Sequence, residues 1–281
     1  MKGLVIAAAL LSAAAPAAAS DAVFDLHVHL HDGAASLREY DARNAEQGVA
    51  VDGFGAMWFG GPNQALAGDS AAIRAGNDGL LALAASDPRA LPIATVHPYD
   101  GAAALDELER VAARGVRVLK IHPHTQRFDA GDPRVGALVG RAGELGVTVL
   151  IDNAGIVPDD HETLFNLALA HPETDFVFAH IGGLGFRFWN ILALARTADG
   201  LVGDNIHFDI SATLVLMADS PLEEEFVWTL RQVGSEHLLL GSDYPQFSLP
   251  QTLVALEALD LTEQEREQIR IGNARRLFGL E

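Results

Sequence analysis

Eight short runs of β-forming residues recur along the chain roughly every 20 to 40 residues, with patterns typical of helices between them. Several runs, such as 147–151 and 176–179, are almost entirely apolar, which is typical of strands that are covered on both faces in a parallel sheet. The runs are residues 23–29, 51–59, 91–97, 116–121, 147–152, 175–180, 205–210 and 237–241. Strands and helices that alternate in this number predict an α/β fold, a single (β/α)8 TIM barrel.

The segments between the runs support this prediction. Leu105, Leu108 and Val111 recur at helical spacing in residues 103–114, and the sequence from Thr262 to Glu265 predicts a capping box that opens the last helix. A chain of 281 residues could hold two domains of about 150 residues, but one α/β barrel commonly takes about 250. Because no linker or internal repeat interrupts the pattern, it favours one domain.

The first 19 residues have the layout of a secretory signal peptide. Lys2 precedes an apolar stretch at 4–15, and the small residues 17–19 follow it as a cleavage site. This stretch is shorter than the roughly 20 residues that cross a bilayer. We therefore predict a signal peptide over residues 1–19, a barrel domain over residues 20–281, and a secreted or periplasmic protein that no membrane retains. The alternative is an alanine-rich helix that is not removed.

Acidic residues outnumber basic ones, since 38 Asp and Glu against 19 Lys and Arg give a formal net charge of −19. Nonspecific binding to nucleic acid or to an anionic membrane needs a basic surface, so the charge excludes both kinds of partner. The sequence has no cysteine, which excludes disulfides, thiol nucleophiles and cysteine-ligated metals. Any metal ion must therefore be bound by histidine and oxygen ligands, and the expected partner is a small-molecule substrate.

Residues capable of chemistry fall at the carboxyl ends of the predicted strands, where barrel enzymes form their active sites. They are His27, His29, Lys120, His122, Asp152, His180 and Asp243. Side chains two apart on a strand point to the same face, with Cα atoms about 6.5 to 7 Å apart. His27 and His29 could therefore converge on one ion.

These residues also have ordinary explanations. A His-x-His pair is often incidental, His180 could be a core histidine with satisfied hydrogen bonds, and Asp243 could be a turn residue or a helix cap. Lys120 is harder to explain in this way, because it interrupts an apolar strand and a buried lysine is costly without a partner.

Six motifs occur in order along nearly the whole chain after the predicted signal peptide. They are DLHVH at 25–29, GVRVLKIHP at 115–123, FAHIGG at 178–183, FDIS at 208–211, LGSDYP at 240–245 and NARRLF at 273–278. This ordered set resembles the amidohydrolase superfamily of metal-dependent barrels, in particular its amidohydrolase-related branch of hydrolases and decarboxylases. The resemblance is specific for the fold and the position of the site, but not for the substrate, because one scaffold carries several chemistries.

The resemblance implies that His27, His29 and Asp243 are metal ligands and that His180 lies beside the metal-bound water. Members with one metal usually have a further histidine at the end of the fifth strand, where this sequence has Asp152. Asp152 could replace it, because zinc accepts carboxylate oxygen; alternatively, the site has lost its metal. One divalent ion is implied, with zinc expected and with manganese or iron as alternatives that a second carboxylate would favour.

The resemblance also offers two roles for Lys120. Members with two metals bridge them with a carboxylated lysine on the fourth strand, and Lys120 occupies that strand. Because the fifth-strand histidine is absent, we favour one metal and an ordinary ammonium group that binds substrate. Lys120, together with His122, would then hold an anionic group of the substrate.

These assignments imply an exported metal-dependent hydrolase that cleaves an ester, lactone or amide with a metal-activated water. Asp243 would take a proton from the water and pass it to the leaving group, while His180 orients the water and stabilises the oxyanion. A first alternative is a metal-dependent decarboxylase of a small carboxylic acid, in which His180 and Asp243 deliver the proton to carbon. A second is a ligand-binding barrel without turnover, whose metal site has degenerated.

Four aromatic residues in the loops after the strands could form apolar walls of the site: Trp58, Phe186, Phe188 and Trp189. They could equally pack against the top of the barrel or form a dimer contact. A homodimer is compatible with the sequence, which does not specify the oligomeric state.

Overall fold

A computed structural model describes residues 22–197 and 203–280 of the chain, and its eight parallel strands form one sheet in chain order. The strands are β1 (Phe24–His29), β2 (Gly53–Met57), β3 (Ala90–Thr95), β4 (Val118–Ile121), β5 (Thr148–Asp152), β6 (Phe176–Ala179), β7 (Ile206–Asp209) and β8 (Leu238–Leu239). Every predicted strand is present, with ends that differ by at most two residues. The predicted (β/α)8 TIM barrel is confirmed, while the predicted signal peptide, residues 1–19, lies outside the described residues.

Helices connect the strands and cover the outside of the barrel. They are α1 (Ala34–Glu46), α2 (Ser70–Ser86), α3 (Ala102–Ala112), α4 (Pro123–Gln126), α5 (Pro133–Glu144), α6 (Asp160–Ala170), α7 (Ile191–Ala195), α8 (Thr213–Met217), α9 (Glu223–Val233), α10 (Leu249–Ala258), α11 (Glu263–Glu267) and α12 (Asn273–Phe278). The predicted capping box is present at the start of α11, where the side chains of Thr262 and Glu265 bond to each other's backbone N–H groups. Within the described ranges, none of the helices has the length and hydropathy that a membrane crossing requires.

The barrel closes where β1 meets the segment after β8. The backbone N–H of Leu26 donates to the carbonyl of Leu240 at 2.9 Å, and that of Tyr244 donates to the carbonyl of His27 at 3.1 Å. The buried Asp25 carboxylate adds two hydrogen bonds of 2.7 Å, from the backbone N–H and the hydroxyl of Ser242. This closure holds His27 beside the residues that follow β8.

The strands separate two hydrophobic clusters. The larger one joins strand residues such as Val149 and Phe208 to apolar residues of the surrounding helices. The smaller one joins strand residues such as Leu26 and Leu150 to each other and to Phe278 of α12. Both faces of the sheet are therefore covered, which explains why the strands are nearly continuous apolar runs.

Replacing Gly55 with alanine is expected to destabilise the barrel by about 3 kcal/mol. Gly55 lies in β2, where an added Cβ would come within 2.1 Å of the backbone oxygen of Leu26 and 2.7 Å of the Ile93 side chain. Neighbouring strands would have to separate to admit it. The free energy of unfolding from urea titration measures this effect.

Gly79 provides the matched control, because an added Cβ there meets no atom within 4 Å. Gly79 lies inside α2, where alanine is expected to stabilise the protein by about 0.5 to 1 kcal/mol through its higher helix propensity. Equal effects of the two substitutions on stability would contradict the strand packing described above.

Candidate active site

A cavity of about 650 Å³ opens at the carboxyl ends of the strands. All seven predicted site residues line it, namely His27, His29, Lys120, His122, Asp152, His180 and Asp243. A second cavity, of about 690 Å³, lies between α1 and α10 and has no histidine in its lining. Volume alone does not distinguish the two, but the concentration of titratable groups identifies the first as the candidate site.

Three of these residues form a group that could hold a metal ion. Nε2 of His27 lies 3.4 Å from Oδ1 of Asp243, and Nε2 of His29 lies 3.6 Å from the same oxygen. One ligand atom from each residue lies within 4.8 Å of the other two. Two imidazoles and one carboxylate that leave other positions open are a common catalytic site for divalent ions.

The other ring nitrogens of the two histidines are held by hydrogen bonds. Nδ1 of His27 donates to the Asp209 carboxylate at 2.5 Å, and Nδ1 of His29 donates to the carbonyl oxygen of Phe59 at 2.6 Å. Burial and the nearby Lys120 ammonium lower the pKa of His27 well below its ordinary value, so its ring is neutral. Nε2 of His27 therefore presents a lone pair to the site, and the hydrogen bond to Phe59 turns Nε2 of His29 toward the same point, as in metal-binding histidines.

Local backbone irregularities position these side chains. The pairing of β1 with β2 shifts register between Asp25 and Val28, and such bulges re-aim side chains near active sites. His180 and Asp243, which follow β6 and β8, have φ angles of 65° and 61°. These left-handed conformations are costly for residues other than glycine and often mark functional positions.

Asp209 belongs to a second group of possible ligands, with His27 and His180. However, the Asp209 carboxylate already accepts hydrogen bonds of 2.8 Å from the backbone N–H and the hydroxyl of Ser211, besides that from His27. It also lies outside the lining of the cavity. Asp209 therefore orients His27, a role that sequence reasoning missed although the FDIS motif contains this residue.

Asp152 contacts two histidines. Its Oδ2 lies 3.2 Å from Nε2 of His180 and 3.4 Å from Nε2 of His122. Among the described residues it is a member of neither group of possible ligands. The carboxylate that takes the place of the family's fifth-strand histidine is thus directed at His180 and His122.

The pKa shifts indicate a charged pair. Burial opposes the charged form of His180, but the hydrogen bond and the charge of Asp152 outweigh it and raise the pKa of His180 to about 9. Burial would raise the pKa of Asp152, yet the hydrogen bond and the positive charge of His180 hold it well below its usual range. Burial lowers the pKa of His122 to about 4. At neutral pH the site therefore contains an imidazolium–carboxylate pair beside a neutral imidazole.

His180 can hold a proton on each ring nitrogen. Nε2 faces the Asp152 carboxylate, while Nδ1 donates to the carbonyl oxygen of Ser211 at 3.2 Å. The His180 ring also stacks on the His27 ring, with centroids 5.1 Å apart. A proton donor thus lies directly beside the possible metal ligands.

Lys120 is fully buried at the floor of the cavity. Its Nζ donates to Nε2 of His27 at 3.4 Å. Burial lowers the pKa of Lys120, whereas the charges of Asp152, Asp209 and Asp243 oppose this shift. The three carboxylates thus favour the charged form of Lys120. Because Lys120 lines the cavity, a substrate anion could reach this charge.

The four aromatic residues considered as walls do not line this cavity. Phe186 and Trp189 are completely buried in the core, and Nε1 of Trp58 donates to the Asn77 side chain at 2.9 Å. They pack against the barrel, as the alternative interpretation predicted.

A family model described as amidohydrolase matches residues 24–280. No curated protein matches the sequence. Among solved structures, a 5-carboxyvanillate decarboxylase from Sphingomonas paucimobilis is 17% identical, with a TM-score of 0.68, and the match covers 92% of this chain and 99% of that chain. A 2,6-dihydroxybenzoate decarboxylase from Rhizobium is also 17% identical, with a TM-score of 0.69 and coverage of 92% and 98%.

A third similar structure is a dihydroxybenzoic acid decarboxylase from Polaromonas, solved with bound manganese and the inhibitor 2-nitroresorcinol. It is 17% identical, with a TM-score of 0.66, and the match covers 92% of this chain and 96% of that chain. At these identities the likeness shows a common fold.

Proposed function

This chain belongs to the amidohydrolase family, and we propose that it is a metal-dependent decarboxylase of a small carboxylic acid. One observation carries the proposal: the Asp152 carboxylate lies 3.2 Å from Nε2 of His180 at the edge of the possible metal site, and this contact raises the pKa of His180 to about 9. Decarboxylation requires a proton donor for the carbon that loses CO2, whereas hydrolysis requires a base for water. The similar decarboxylase structures favour the same choice between the two reactions.

The residues proposed to hold the ion are His27, His29 and Asp243, whose donor atoms fit one divalent metal. When bound, this ion supplies a Lewis acid that draws electron density from a substrate oxygen. Mixed nitrogen and oxygen ligands suit manganese as well as zinc, and the Polaromonas decarboxylase binds manganese. We therefore propose manganese in place of the zinc that was expected from the sequence.

The chain's own residues can carry the proton and hold the substrate. Lys120 binds an anionic group of the substrate, and the neutral His122 provides a further hydrogen bond. His180 donates its Nε2 proton to the substrate carbon that bears the carboxylate. The bond between that carbon and the carboxylate breaks, its electron pair forms the new C–H bond with this proton, and CO2 leaves. His180 then regains a proton from solvent beside Asp152.

Hydrolysis of an ester, lactone or amide is the second candidate. Burial would raise the pKa of Asp243, but the histidines around it lower this pKa, so the carboxylate is ionised and available as a base. This favours the proton transfer predicted for a hydrolase. A second alternative is a binding protein whose metal site has degenerated. The hydrogen bonds at Nδ1 of His27 and His29 argue against it, because they still orient both rings toward the possible metal site.

A substrate panel separates these reactions. Manganese-loaded protein is incubated with hydroxybenzoic acids and, separately, with their methyl esters and with aryl lactones. We expect CO2 release from at least one acid, and none with His180→Asn protein. Cleavage of an ester or lactone without CO2 release from any acid would overturn the proposal.

Replacing Lys120 with methionine is expected to weaken binding of an acid substrate about 30- to 100-fold, because a buried charge-assisted hydrogen bond is lost. Isothermal titration with benzoate measures the affinity, and elemental analysis measures the metal. Retained metal with weakened benzoate binding supports an ammonium that binds substrate. Loss of metal would instead support the carboxylated lysine that bridges two ions.

We also propose that the protein is exported, on the basis of residues 1–19. Intact-mass analysis of protein recovered outside the cytoplasm tests this proposal. The expected mass lacks these 19 residues, whereas full-length protein confined to the cytoplasm would contradict it.

A further inference from the structure

Three aliphatic side chains form an apolar rim at the mouth of the active-site cavity. This aliphatic rim consists of Ile156, Leu184 and Leu216, which are 61%, 68% and 57% exposed. Seven large hydrophobic side chains are exposed in the described part of the chain, and these three line one cavity. Exposed apolar groups concentrated at a cleft usually mark a surface that a ligand covers.

The rim is assembled from three separate loops. Ile156 follows β5, Leu184 lies in the 3-10 segment His180–Asn190 after β6, and Leu216 lies in α8 after β7. The segment that carries Leu184 buries its neighbours Phe186 and Trp189 completely. The two buried aromatic side chains hold the backbone of this segment in place. Leu184 is therefore exposed on a segment that is itself packed against the core.

The lining of the cavity combines buried charged or polar groups with exposed apolar ones. The buried groups are His27, Lys120, Asp152, His180 and Asp243, and Lys120 is a fully buried cation that could bind an anion. The aliphatic rim is the exposed apolar part of the same lining. A ligand that satisfies both parts has a carboxylate and an apolar body.

The size of the cavity supports a ligand longer than a single-ring acid. Its volume of about 650 Å³ lies within the range of about 300–1,000 Å³ that is typical of pockets for drug-sized ligands. An aromatic ring with its carboxylate near Lys120 fills only part of this space. The three side chains of the aliphatic rim line the same space.

We propose that the substrate is an amphipathic carboxylic acid whose alkyl-sized apolar substituent packs on Ile156, Leu184 and Leu216. This inference rests on the proposed function only for the placement of the carboxylate near Lys120. Decarboxylation itself does not require an apolar substituent. The inference adds that the substrate has one, and that it reaches the rim.

Binding of a homologous series tests the proposal. Benzoate and its 4-ethyl, 4-butyl and 4-hexyl derivatives are titrated into manganese-loaded protein by calorimetry, with benzoate as the internal reference for each protein. We expect the affinity to rise about two- to fourfold per methylene until the chain passes the rim. The Leu184→Ser/Leu216→Ser double variant is expected to lose most of this increase.

Leu194→Ser is the matched control, since Leu194 is 73% exposed on α7 and lies outside the cavity lining. It is expected to keep the wild-type increase per methylene. An affinity that does not depend on chain length in the wild type, or an equal increase in the double variant, would overturn the proposal. A third outcome would also overturn it: the double variant dissociates a dimer but keeps the wild-type gain in affinity per methylene. A second copy of the chain, and not a ligand, would then cover the rim.

The two proposals can fail separately. Chain-length dependence without CO2 release from any acid would overturn the proposed decarboxylation and leave the amphipathic ligand in place. CO2 release from single-ring acids without chain-length dependence would overturn the inference about the rim alone.

Discussion

His27→Ala protein is expected to lose its metal ion and to turn over substrate on the order of 10³-fold more slowly. The substitution removes a neutral Nε2 ligand that lies 3.4 Å from the Asp243 carboxylate. It also leaves the buried Asp209 carboxylate without the imidazole that donates to it at 2.5 Å. Elemental analysis of dialysed protein, together with CO2 release, measures both effects.

The wild-type protein is expected to contain about one equivalent of divalent metal. His124→Ala serves as the matched control, because His124 is exposed on α4 and belongs to neither group of possible ligands in the described residues. It is expected to retain both metal and turnover. A His27→Ala protein that still contained one equivalent of metal and remained active would contradict the assigned site.

Asp152→Asn is expected to shift the alkaline limb of the pH profile of kcat downward by two units or more. Turnover needs protonated His180, so activity is present below the pKa of His180 and is lost as the pH rises through it. In the wild type that pKa is about 9, because Asp152 outweighs the effect of burial. In the variant burial acts without this opposition, and the pKa falls to the ordinary histidine value of about 6.5 or below.

The expected loss of activity is about 50- to 100-fold near pH 8.5, and it shrinks toward acid pH. Asp160→Asn is the control, because Asp160 is a neighbouring buried carboxylate that bonds to Asn153 and not to His180. Its alkaline limb should match that of the wild type. An unshifted limb in Asp152→Asn would contradict the role of Asp152, and loss of metal from this variant would restore Asp152 to the ligand set expected from the sequence.

The fold could be predicted because its signals are local. Apolar runs such as 147–151 specify buried parallel strands, and helical spacing between the runs specifies the connections. The position of the site followed from the same pattern, because the carboxyl ends of barrel strands meet at one face. All seven predicted residues line the same cavity for this reason.

The partners of these residues could not be predicted in the same way. Spacing along β5 places Asp152 at the carboxyl end, but its contacts with His180 and His122 depend on how three strands are arranged around the barrel. The role of Asp209 depends likewise on the closure of β1 against the last strand. Contacts between strands are set by register and closure, which the sequence of a single strand does not contain.

The aromatic residues after β6 show a second limit. Ile181, Gly182 and Gly183 have positive φ angles, and they turn the following segment so that Phe186 and Trp189 enter the core. Because this 3-10 segment has no long helical or strand periodicity, its inward and outward positions could not be assigned from the sequence. The exposure of Leu184 could not be predicted from the sequence for the same reason.

Isotope labelling of a single turnover distinguishes decarboxylation from hydrolysis. The monomethyl ester of a hydroxybenzenedicarboxylic acid, which offers one carboxylate and one ester, is incubated with manganese-loaded protein in deuterium oxide enriched in oxygen-18, and the organic product is analysed by mass spectrometry. Proton delivery by His180 predicts a product with deuterium on the carbon that lost CO2 and no oxygen-18 from solvent. A product that retains both carboxyl carbons and carries oxygen-18 from solvent would show hydrolysis and contradict the proposed decarboxylation.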